Sequence, residues 1–205
     1  MTGEGLRLLL VRHGETAANL RGQIQGQSEI PLTDNGRDQA RRLAVRLSAE
    51  PLSAVLASPL VRARETAEIV ARPHGLQPRL DPRLKEFGFG TWEGLTWPQV
   101  RRRSAPQWQA WARDREQPPP GGEPLSAVRA RVQQLLDQLT TEREGQTLLL
   151  VAHGGSLRVL ICLAFGIDLA LEGNLALHNS SLSELLVRPR GAVLQRLNDT
   201  AHLSG

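Results

Sequence analysis

The amino-acid sequence predicts an α/β fold, a three-layer α/β/α sandwich with a mostly parallel central sheet. Two nearly continuous apolar runs, Leu6–Arg12 and Thr147–Ala152, are each bounded by glycine on at least one side. Such runs are typical of strands that are buried on both faces of a parallel sheet. Segments with helical apolar spacing lie between them, and strands that alternate with helices are the mark of this fold class.

The first half of the chain shows this alternation. Apolar residues recur with helical spacing after Thr33, a residue that suits the N-cap, and predict a helix over residues 34–49: Ala40, Leu43, Ala44 and Leu47. A short strand is predicted over residues 53–57. Ser58 and Pro59 fit the N-cap and the first position of a second helix, which carries Ala63, Ala67, Val70 and Ala71 on one face.

A middle insertion is predicted over about residues 92–123. Thr96 with Gln99, and Ser104 with Gln107, both fit a capping box, so we expect two short helices there. These helices carry three tryptophans, Trp97, Trp108 and Trp111. Two roles are open for them: they cover the sheet, or they wall a pocket and favour apolar leaving groups.

The last third begins after residues 117–123, whose Pro-Pro-Pro-Gly-Gly run cannot be helical. A long helix follows, with its apolar face from Leu125 to Leu139. After the second buried strand we predict a helix over residues 156–165. The segment 182–197, split by Pro189, Arg190 and Gly191, is predicted to form two strands or a hairpin.

Composition places the chain in one domain, residues 1–205. With 40% hydrophobic residues, 205 residues can bury one core. Cys162 is the single cysteine, so an internal disulfide is excluded, and the short polar segment 1–5 leads into an apolar run too brief for a secretory signal. The run 159–165 is far shorter than the roughly 20 residues of a membrane helix. We expect a cytoplasmic protein with no membrane partner.

The charge pattern favours an anionic partner. The formal net charge is +4, and Lys85 is the only lysine among 25 basic residues. Arginine forks onto phosphate and carboxylate oxygens, although coding bias explains such a preference equally well. Single-stranded nucleic acid requires aromatic stacking platforms, whereas this chain has no tyrosine and three phenylalanines. A phosphorylated metabolite is therefore expected rather than nucleic acid.

Two nearly identical heptapeptides indicate the site. Residues 8–14 are LLLVRHG and residues 148–154 are LLLVAHG. Ligands of open α/β sheets bind beyond the carboxyl ends of the strands, where both motifs place a histidine. If the strands are neighbours, His13 and His153 face one pocket. Arg12, and the lack of a nearby Asp or Cys at ligand spacing, favour an anion over a metal ion, so no metal is expected.

The sequence Arg-His-Gly-Glu-Thr at residues 12–16, after an apolar strand, resembles the signature of the histidine phosphatase superfamily, the phosphoglycerate mutase-like enzymes. Further segments match this family in order: residues 25–26 leading to 31–33, 58–63, 84–86 leading to 90–94, and 151–155. The matches extend from residue 8 to about residue 160. The resemblance implies that the small helical insertion lies over the active site.

The resemblance also implies roles for individual residues. His13 is the expected nucleophile, whose imidazole becomes phosphorylated, and Glu86 is the expected proton donor. Phosphate-binding positions of the family fall on Arg12, Arg62, His153 and Asn19, and substrate-contacting positions on Gln25 and Gly26. Gly154 begins the turn into a helix, so its backbone N–H can point at phosphate. Glu15 and Glu93 are expected to be structural.

The expected function is a hydrolase, a phosphomonoesterase that acts on small phosphorylated metabolites through a phosphohistidine, without metal or cofactor. Residues 87–92, which follow Glu86, resemble the phosphatase branch, and residues 25–31 are similar to the broad-specificity and α-ribazole phosphatases. Two alternatives stay open: a phosphoglycerate mutase and a non-catalytic phosphate-binding module. The sequence names no metabolite, and it is compatible with a homodimer.

Overall fold

The computed structural model describes residues 5–188 and 190–204. Its strands are β1 (Leu6–Arg12), β2 (Ala54–Ala57), β3 (Arg79–Leu80), β4 (Thr147–Ala152), β5 (Leu182–Arg188) and β6 (Gly191–Asp199). Its α-helices are α1 (Ala17–Leu20), α2 (Asp34–Leu47), α3 (Val61–Ala71), α4 (Trp97–Arg103), α5 (Ala105–Arg113), α6 (Leu125–Glu142) and α7 (Gly154–Phe165). Short 3₁₀ helices lie at Arg72–His74, Pro82–Leu84, Gly90–Trp92, Leu169–Asn174 and Ala201–Leu203.

The described residues form one six-stranded sheet in the order β3-β2-β4-β1-β5-β6. β1 pairs in parallel with β4, β4 with β2, and β2 with β3. β5 runs antiparallel to β1 and to β6. The sheet is therefore mixed and mostly parallel, which confirms the predicted fold class.

Alternate residues of the central strands face opposite layers, which explains their continuous apolar sequence. Leu9 of β1 and Leu149 of β4 pack with residues of α2 and α3. Leu8 of β1 and Leu148 of β4 pack instead with residues of α6 and α7. A side chain on either face of these strands is thus removed from water, and the three-layer sandwich follows.

The insertion builds a small core of its own. Ile24, Trp92, Val100 and Trp111 are buried together, and Trp97 and Trp108 pack against them. None of the three tryptophans considered in the sequence belongs to the two clusters that cover the sheet. The interpretation that they cover the sheet is therefore wrong.

The helix start predicted at Pro59 is wrong, because α3 begins at Val61. The Ser58 hydroxyl lies 2.8 Å from Nε2 of His153 instead of capping the helix. The backbone N–H of Val61 donates to the Glu29 carboxylate, 2.8 Å away, so a side chain from another segment satisfies this helix end.

The capping predictions differ in outcome. Thr33 caps α2 and Thr96 forms the predicted capping box with Gln99, which confirms both. The box predicted at Ser104 is wrong: Ser104 makes no side-chain cap bond, and its ψ of 42° is not extended. Its backbone N–H bonds to Val100 O and ends α4, so Ser104 is shared by two helices and cannot adopt an N-cap conformation.

Other boundaries shift by a few residues. α2 ends at Leu47 rather than 49, β2 begins at Ala54 rather than 53, and α7 begins at Gly154 rather than 156. Of the two alternatives for the tail, the hairpin is confirmed, since β5 and β6 pair.

Two sequence predictions fall partly outside the described residues: the break in the tail at Pro189, and the short polar segment at the start of the chain, of which residues 1–4 are not described. No helix among the described residues is both long and apolar enough to cross a membrane.

Candidate active site

The two histidines meet at one edge of the sheet. β1 and β4 are parallel neighbours, with Arg12 opposite Ala152, so the residue after each strand lies at the same level. The ring centroids of His13 and His153 are 5.2 Å apart. Both side chains are buried, with 3% and 0% of their surface exposed.

The hydrogen bond of His13 selects its tautomer. Nδ1 lies 2.7 Å from the Gly14 carbonyl oxygen. Because a carbonyl only accepts, Nδ1 carries the proton and donates it, which leaves the lone pair on Nε2. Burial, followed by the nearby charges of Arg62 and Arg12, lowers the pKa of His13 well below 6.5. The imidazole is therefore neutral near pH 7, as a nucleophile must be.

Backbone contacts fix the position of this imidazole. Gly14 N–H donates to Thr66 Oγ1 at 3.1 Å, and Asn179 Nδ2 donates to the carbonyl of His13 at 3.0 Å. A Cβ on Gly14 would stand 2.5 Å from the Gly36 carbonyl oxygen, so only glycine allows this close approach. Sequence reasoning missed Thr66 and Asn179, which carry no local signal because they lie far from His13 along the chain.

Two arginines supply the positive charge beside His13. Arg12 donates from Nη1 to the Leu177 carbonyl at 2.6 Å, and Arg62 donates to the carbonyls of Gly26 and Ser28 at 2.7 and 2.8 Å. In the described part of the chain, the buried Nε of each has no hydrogen-bond partner. Burial lowers the pKa of Arg62 to about 10, and it remains a cation at pH 7. Unpaired buried donors on cations suit an anionic ligand.

His153 lies behind His13. Its Nε2 is 2.8 Å from Ser58 Oγ, and burial, then Arg62 and His13, lower the pKa of His153 well below 6.5. Its buried Nδ1 finds no hydrogen-bond partner among the described residues. The ring is therefore neutral and has an unused polar nitrogen next to His13.

The Glu86 carboxyl group sits on the N-terminus of α7. It accepts from the backbone N–H groups of Gly155 at 3.0 Å and Ser156 at 3.2 Å, and from Phe87 N–H at 3.0 Å. A Cβ on Gly155 would lie 2.4 Å from Glu86 Oε1, so glycine at this position makes room for the carboxyl group. Glu86 is thereby held beside Gly154, at the start of the same helix.

A cavity of about 250 Å³ joins these groups. Eight of the nine site residues named from the sequence line it: Arg12, His13, Asn19, Gln25, Gly26, Arg62, Glu86 and Gly154. His153 is not among the residues that line the cavity, although its ring lies next to that of His13. Asn19 and Gln25 have their amide oxygens engaged by Thr16, so the amide nitrogen of each remains to donate.

The insertion contributes the outer wall. Trp97 and Trp111 line the cavity, which agrees with the pocket wall in the second role considered for them, whereas Trp108 does not. The preference for apolar leaving groups in that role stays a prediction. The sequence reasoning missed Arg115, Arg158 and Glu172, which also line it. Arg158 could have been found, since it follows Gly154 by one helical turn. Nothing local marks Glu172.

Glu15 and Glu93, which the sequence predicts to be structural, bond to the surrounding loops. Glu15 accepts from Thr33 Oγ1 at 2.8 Å, and Glu93 accepts from Gln27 N–H at 2.9 Å. Neither lines the cavity. Among the described residues, no group of three or more His, Cys, Asp or Glu side chains is placed to hold a metal ion.

The site combines paired imidazoles, buried guanidinium groups and the Glu86 side chain at the C-terminal ends of parallel strands. This combination defines a class of enzymes that act on phosphate groups. Residues 8–200 match the model of the histidine phosphatase superfamily (branch 1). The chain belongs to this superfamily.

Its relatives carry several names. It is 31% identical over 199 residues to "Phosphoserine phosphatase 1" of Hydrogenobacter thermophilus, covering 97% of this chain and 94% of that protein. It is 35% identical over 208 residues to "Probable phosphoglycerate mutase GpmB" of Serratia proteamaculans, covering 97% and 95%. The crystal structure of the α-ribazole phosphatase from Shigella flexneri is similar with a TM-score of 0.87 at 32% identity, covering 95% of this chain and 96% of that one.

Proposed function

We propose that the protein is a phosphomonoesterase that hydrolyses small phosphorylated metabolites through a phosphohistidine at Nε2 of His13. One observation carries this proposal: a buried, neutral imidazole with a free Nε2 lies beside two guanidinium groups whose Nε–H groups find no hydrogen-bond partner among the described residues. The cavity of about 250 Å³ suits a small substrate.

In the first half-reaction Nε2 of His13 attacks phosphorus and forms the N–P bond. The ester P–O bond breaks, and the leaving oxygen takes a proton from the Glu86 carboxyl group and departs as the alcohol. Arg12 and Arg62 stabilise the charge on the phosphoryl oxygens. The N–H of Gly154, at the start of α7, adds a backbone donor.

In the second half-reaction water attacks the phosphohistidine. The Glu86 carboxylate accepts a proton from this water, the N–P bond breaks and inorganic phosphate leaves. His13 and Glu86 return to their starting states, so the cycle balances. Removal of one oriented donor typically costs about 3–4 kcal/mol of transition-state stabilisation, and several donors are needed for so slow a reaction.

The expected result for His13→Ala is loss of nearly all hydrolysis of p-nitrophenyl phosphate, because no other described group in the cavity can form the N–P bond. Rapid acid-free quenching of the wild type with a ³²P-labelled substrate should trap a phosphorylated chain, and the alanine variant should not be labelled. A His13→Ala variant that keeps most of its activity would contradict the mechanism. A phosphoryl label on a residue other than His13 would also contradict the mechanism.

Phosphoglycerate mutase is the second candidate, favoured by the Serratia relative. A mutase must keep a phosphorylated intermediate away from water, whereas the α-helical part of the described insertion consists of two short helices, α4 and α5. We expect release of inorganic phosphate and no interconversion of phosphoglycerates that depends on 2,3-bisphosphoglycerate. A dominant mutase rate would reverse the order of the two candidates.

The remaining expectations stay proposals. A phosphate-binding module without turnover is disfavoured, because the nucleophile, donor and cationic positions of the family are all occupied here. We propose a cytoplasmic location, with the single cysteine, Cys162, as support. We also propose a homodimer, which the mass of the protein in solution tests. We propose that nucleic acid is not a partner, which binding assays test.

A further inference from the structure

A turn at residues 177–180 contacts the end of β1, although none of its residues lines the cavity. Nη1 of Arg12 donates to the Leu177 carbonyl at 2.6 Å. The backbone N–H of Ser180 lies 3.0 Å from the Arg12 carbonyl oxygen and 3.2 Å from that of His13. The short motifs that indicate the site from the sequence do not include this turn. It nevertheless holds two residues of the proposed site.

Asn179, within this turn, places one amide nitrogen against three oxygen atoms. Its Nδ2 lies 3.0 Å from the His13 carbonyl oxygen, 3.2 Å from the Gly14 carbonyl oxygen and 3.2 Å from Asn19 Oδ1. Both carbonyl oxygens only accept, so the atom of Asn179 that faces them is the nitrogen. A single side chain thereby joins the backbone of His13 to an amide that lines the cavity.

The contact with Gly14 acts on the imidazole of His13. The Gly14 carbonyl oxygen accepts from His13 Nδ1 at 2.7 Å and from Asn179 Nδ2 at 3.2 Å, and a carbonyl has two lone pairs for these bonds. Asn179 thus holds the acceptor that keeps the proton on Nδ1. In the proposed mechanism, transfer of the phosphoryl group to Nε2 makes the ring cationic, which strengthens the bond from Nδ1 to this carbonyl.

The contact with Asn19 fixes the amide of a residue that lines the cavity. Asn19 Oδ1 accepts from Thr16 N–H at 3.0 Å and from Asn179 Nδ2 at 3.2 Å. Because two donors hold the oxygen, the nitrogen is the atom of this amide that can donate to a phosphoryl oxygen. Loss of the Asn179 contact would let the Asn19 amide rotate, and its donor would be less well aligned.

The backbone of the turn is held in an unfavourable conformation. Ser180 is buried and has a φ of 54°, in the left-handed region that residues other than glycine rarely adopt. Nε2 of His202, in the 3₁₀ helix Ala201–Leu203, lies 3.1 Å from the Ser180 carbonyl oxygen. Such a backbone persists only where its surroundings impose it. Asn179, the preceding residue, is therefore held in a defined position.

We infer that Asn179 is a positioning residue for phosphoryl transfer: its amide nitrogen aligns the nucleophile through the Gly14 carbonyl and a phosphate donor through Asn19. The inference rests on the proposed phosphomonoesterase function and adds to it a residue that does not line the cavity. Both alignments depend on one side chain, so its loss impairs the attack on phosphorus and the binding of phosphate together.

Asn179→Ala removes both contacts without adding a charge. We expect kcat/KM for p-nitrophenyl phosphate to fall by about tenfold, and the inhibition constant of inorganic phosphate to rise by about threefold. A double-mutant cycle with Asn19→Ala separates positioning from folding. In the Asn19→Ala background, Asn179→Ala should lower kcat/KM by only about threefold, because one of its two targets is gone. A turn that only supports the fold would give equal losses in the two backgrounds.

Asn179→Asp reverses the contact in a side chain of nearly the same size. A carboxylate cannot donate to the two carbonyls, and its negative charge favours a protonated imidazole. The other charged or titratable groups around His13 are unchanged in this variant: Arg12, Arg62, His153 and Glu86. The acid limb of kcat/KM should therefore move to higher pH by about one unit. A defect of the turn alone would lower kcat/KM without moving this limb.

Asn198→Asp is the matched control. Asn198 contacts the same turn from its other side, where its Oδ1 accepts from the backbone N–H of His178 at 2.7 Å. Aspartate retains this acceptor, and the residue does not line the cavity. We expect kcat/KM and the inhibition constant of phosphate to stay within about twofold of wild type, with the acid limb in place.

The outcomes show which proposal fails. Equal losses from Asn179→Ala in the two backgrounds would overturn the positioning role, as would an acid limb that does not move in Asn179→Asp. If urea unfolding shows that the aspartate variant is not folded, the cycle with alanine decides alone. Hydrolysis of p-nitrophenyl phosphate by the wild type upholds the phosphatase in each of these cases. A wild type that hydrolyses no phosphomonoester would refute the proposed function itself.

Discussion

At the scale of single residues, the site depends on neutral imidazoles surrounded by cations. The Gly14 carbonyl sets the proton of His13 on Nδ1, and burial, followed by the charges of Arg62 and Arg12, opposes a second proton on Nε2. In the proposed mechanism, the groups that bind phosphate therefore also keep His13 in its neutral, nucleophilic form. One arrangement of charge would then serve both phosphate binding and attack.

The lowered pKa of His13 predicts the acid limb of the pH profile of kcat/KM. Protonation of His13 removes the nucleophile, and its pKa lies well below 6.5, so kcat/KM should stay high as the pH falls to about 6. The measurement is kcat/KM for p-nitrophenyl phosphate between pH 4.5 and 8, corrected for the ionisation of the substrate. A loss of activity centred at about pH 6.5 would show an ordinary imidazole and contradict this prediction.

Gly155→Ala should reduce turnover more than its small size suggests. The new Cβ would stand 2.4 Å from Glu86 Oε1 and displace the carboxyl group from the N-terminus of α7. We expect a fall in kcat of about 10²-fold or more, the scale of a general-acid contribution. Gly173→Ala is the control, because a Cβ there meets nothing within 4 Å, and its kcat should remain close to wild type. Equal kcat values in the two variants would refute this role for Gly155.

At the scale of helices and strands, the register of β1 against β4 makes the site. The motif LLLVRHG aligns with LLLVAHG residue for residue, Leu8 opposite Leu148 and Arg12 opposite Ala152. A shift by one residue would turn every side chain of β1 to the other face, and both cores forbid it. Burial on both faces therefore fixes the relative height of His13 and His153.

Helix capping offers a test at the same scale. The Thr33 hydroxyl accepts from Gly36 N–H at 2.9 Å, whereas the Ser104 hydroxyl caps nothing. Thr33→Ala should lower the free energy of unfolding by about 1 kcal/mol, and Ser104→Ala by less than about 0.5 kcal/mol. Urea unfolding followed by circular dichroism measures both. Equal losses would contradict the difference in capping.

At the scale of the whole molecule, two neutral histidines in the core couple stability to pH. Burial is the main cause that lowers the pKa of His13 and of His153 well below 6.5. Below pH 6.5 the unfolded chain binds protons that the native state does not, so the free energy of unfolding falls as the pH falls. Their contribution is fully present above pH 6.5 and is lost progressively below it.

Each histidine should contribute a slope of up to about 1.4 kcal/mol per pH unit below pH 6.5. Urea unfolding of the wild type at pH 7.0, 6.0 and 5.5 measures the total slope. His13→Gln should reduce that slope, whereas His178→Gln, at an exposed position outside both cores, should not. A slope that is unchanged in His13→Gln would show that His13 is not the source.

How much of the fold could be predicted from the sequence depends on how far apart along the chain the interacting residues lie. The parallel sheet, the hairpin and the caps at Thr33 and Thr96 depend on patterns within a few residues, and these predictions are confirmed. The predicted start of α3 and the predicted cap at Ser104 are wrong because both depend on contacts beyond the neighbouring residues. Ser58 bonds to His153, which is distant in sequence, and Ser104 ends α4 where α5 begins.

The candidate site divides in the same way. His13, Arg12 and Gly154 follow directly from the buried strands, since in a parallel sheet the residues after adjacent strands share an edge. The charged residues Arg115, Arg158 and Glu172, which also line the cavity, have no such signal, because they belong to three separate segments.

The sequence by itself determined the fold class, the paired histidines and the family motif, because strand burial and short motifs are written in adjacent residues. Only the tertiary structure decided which nitrogen of His13 is free, how Glu86 sits on α7, and that the amide of one residue, Asn179, joins the backbone of His13 to Asn19. Those properties depend on distances between side chains that are far apart along the chain, and on how fully the surrounding packing removes them from water.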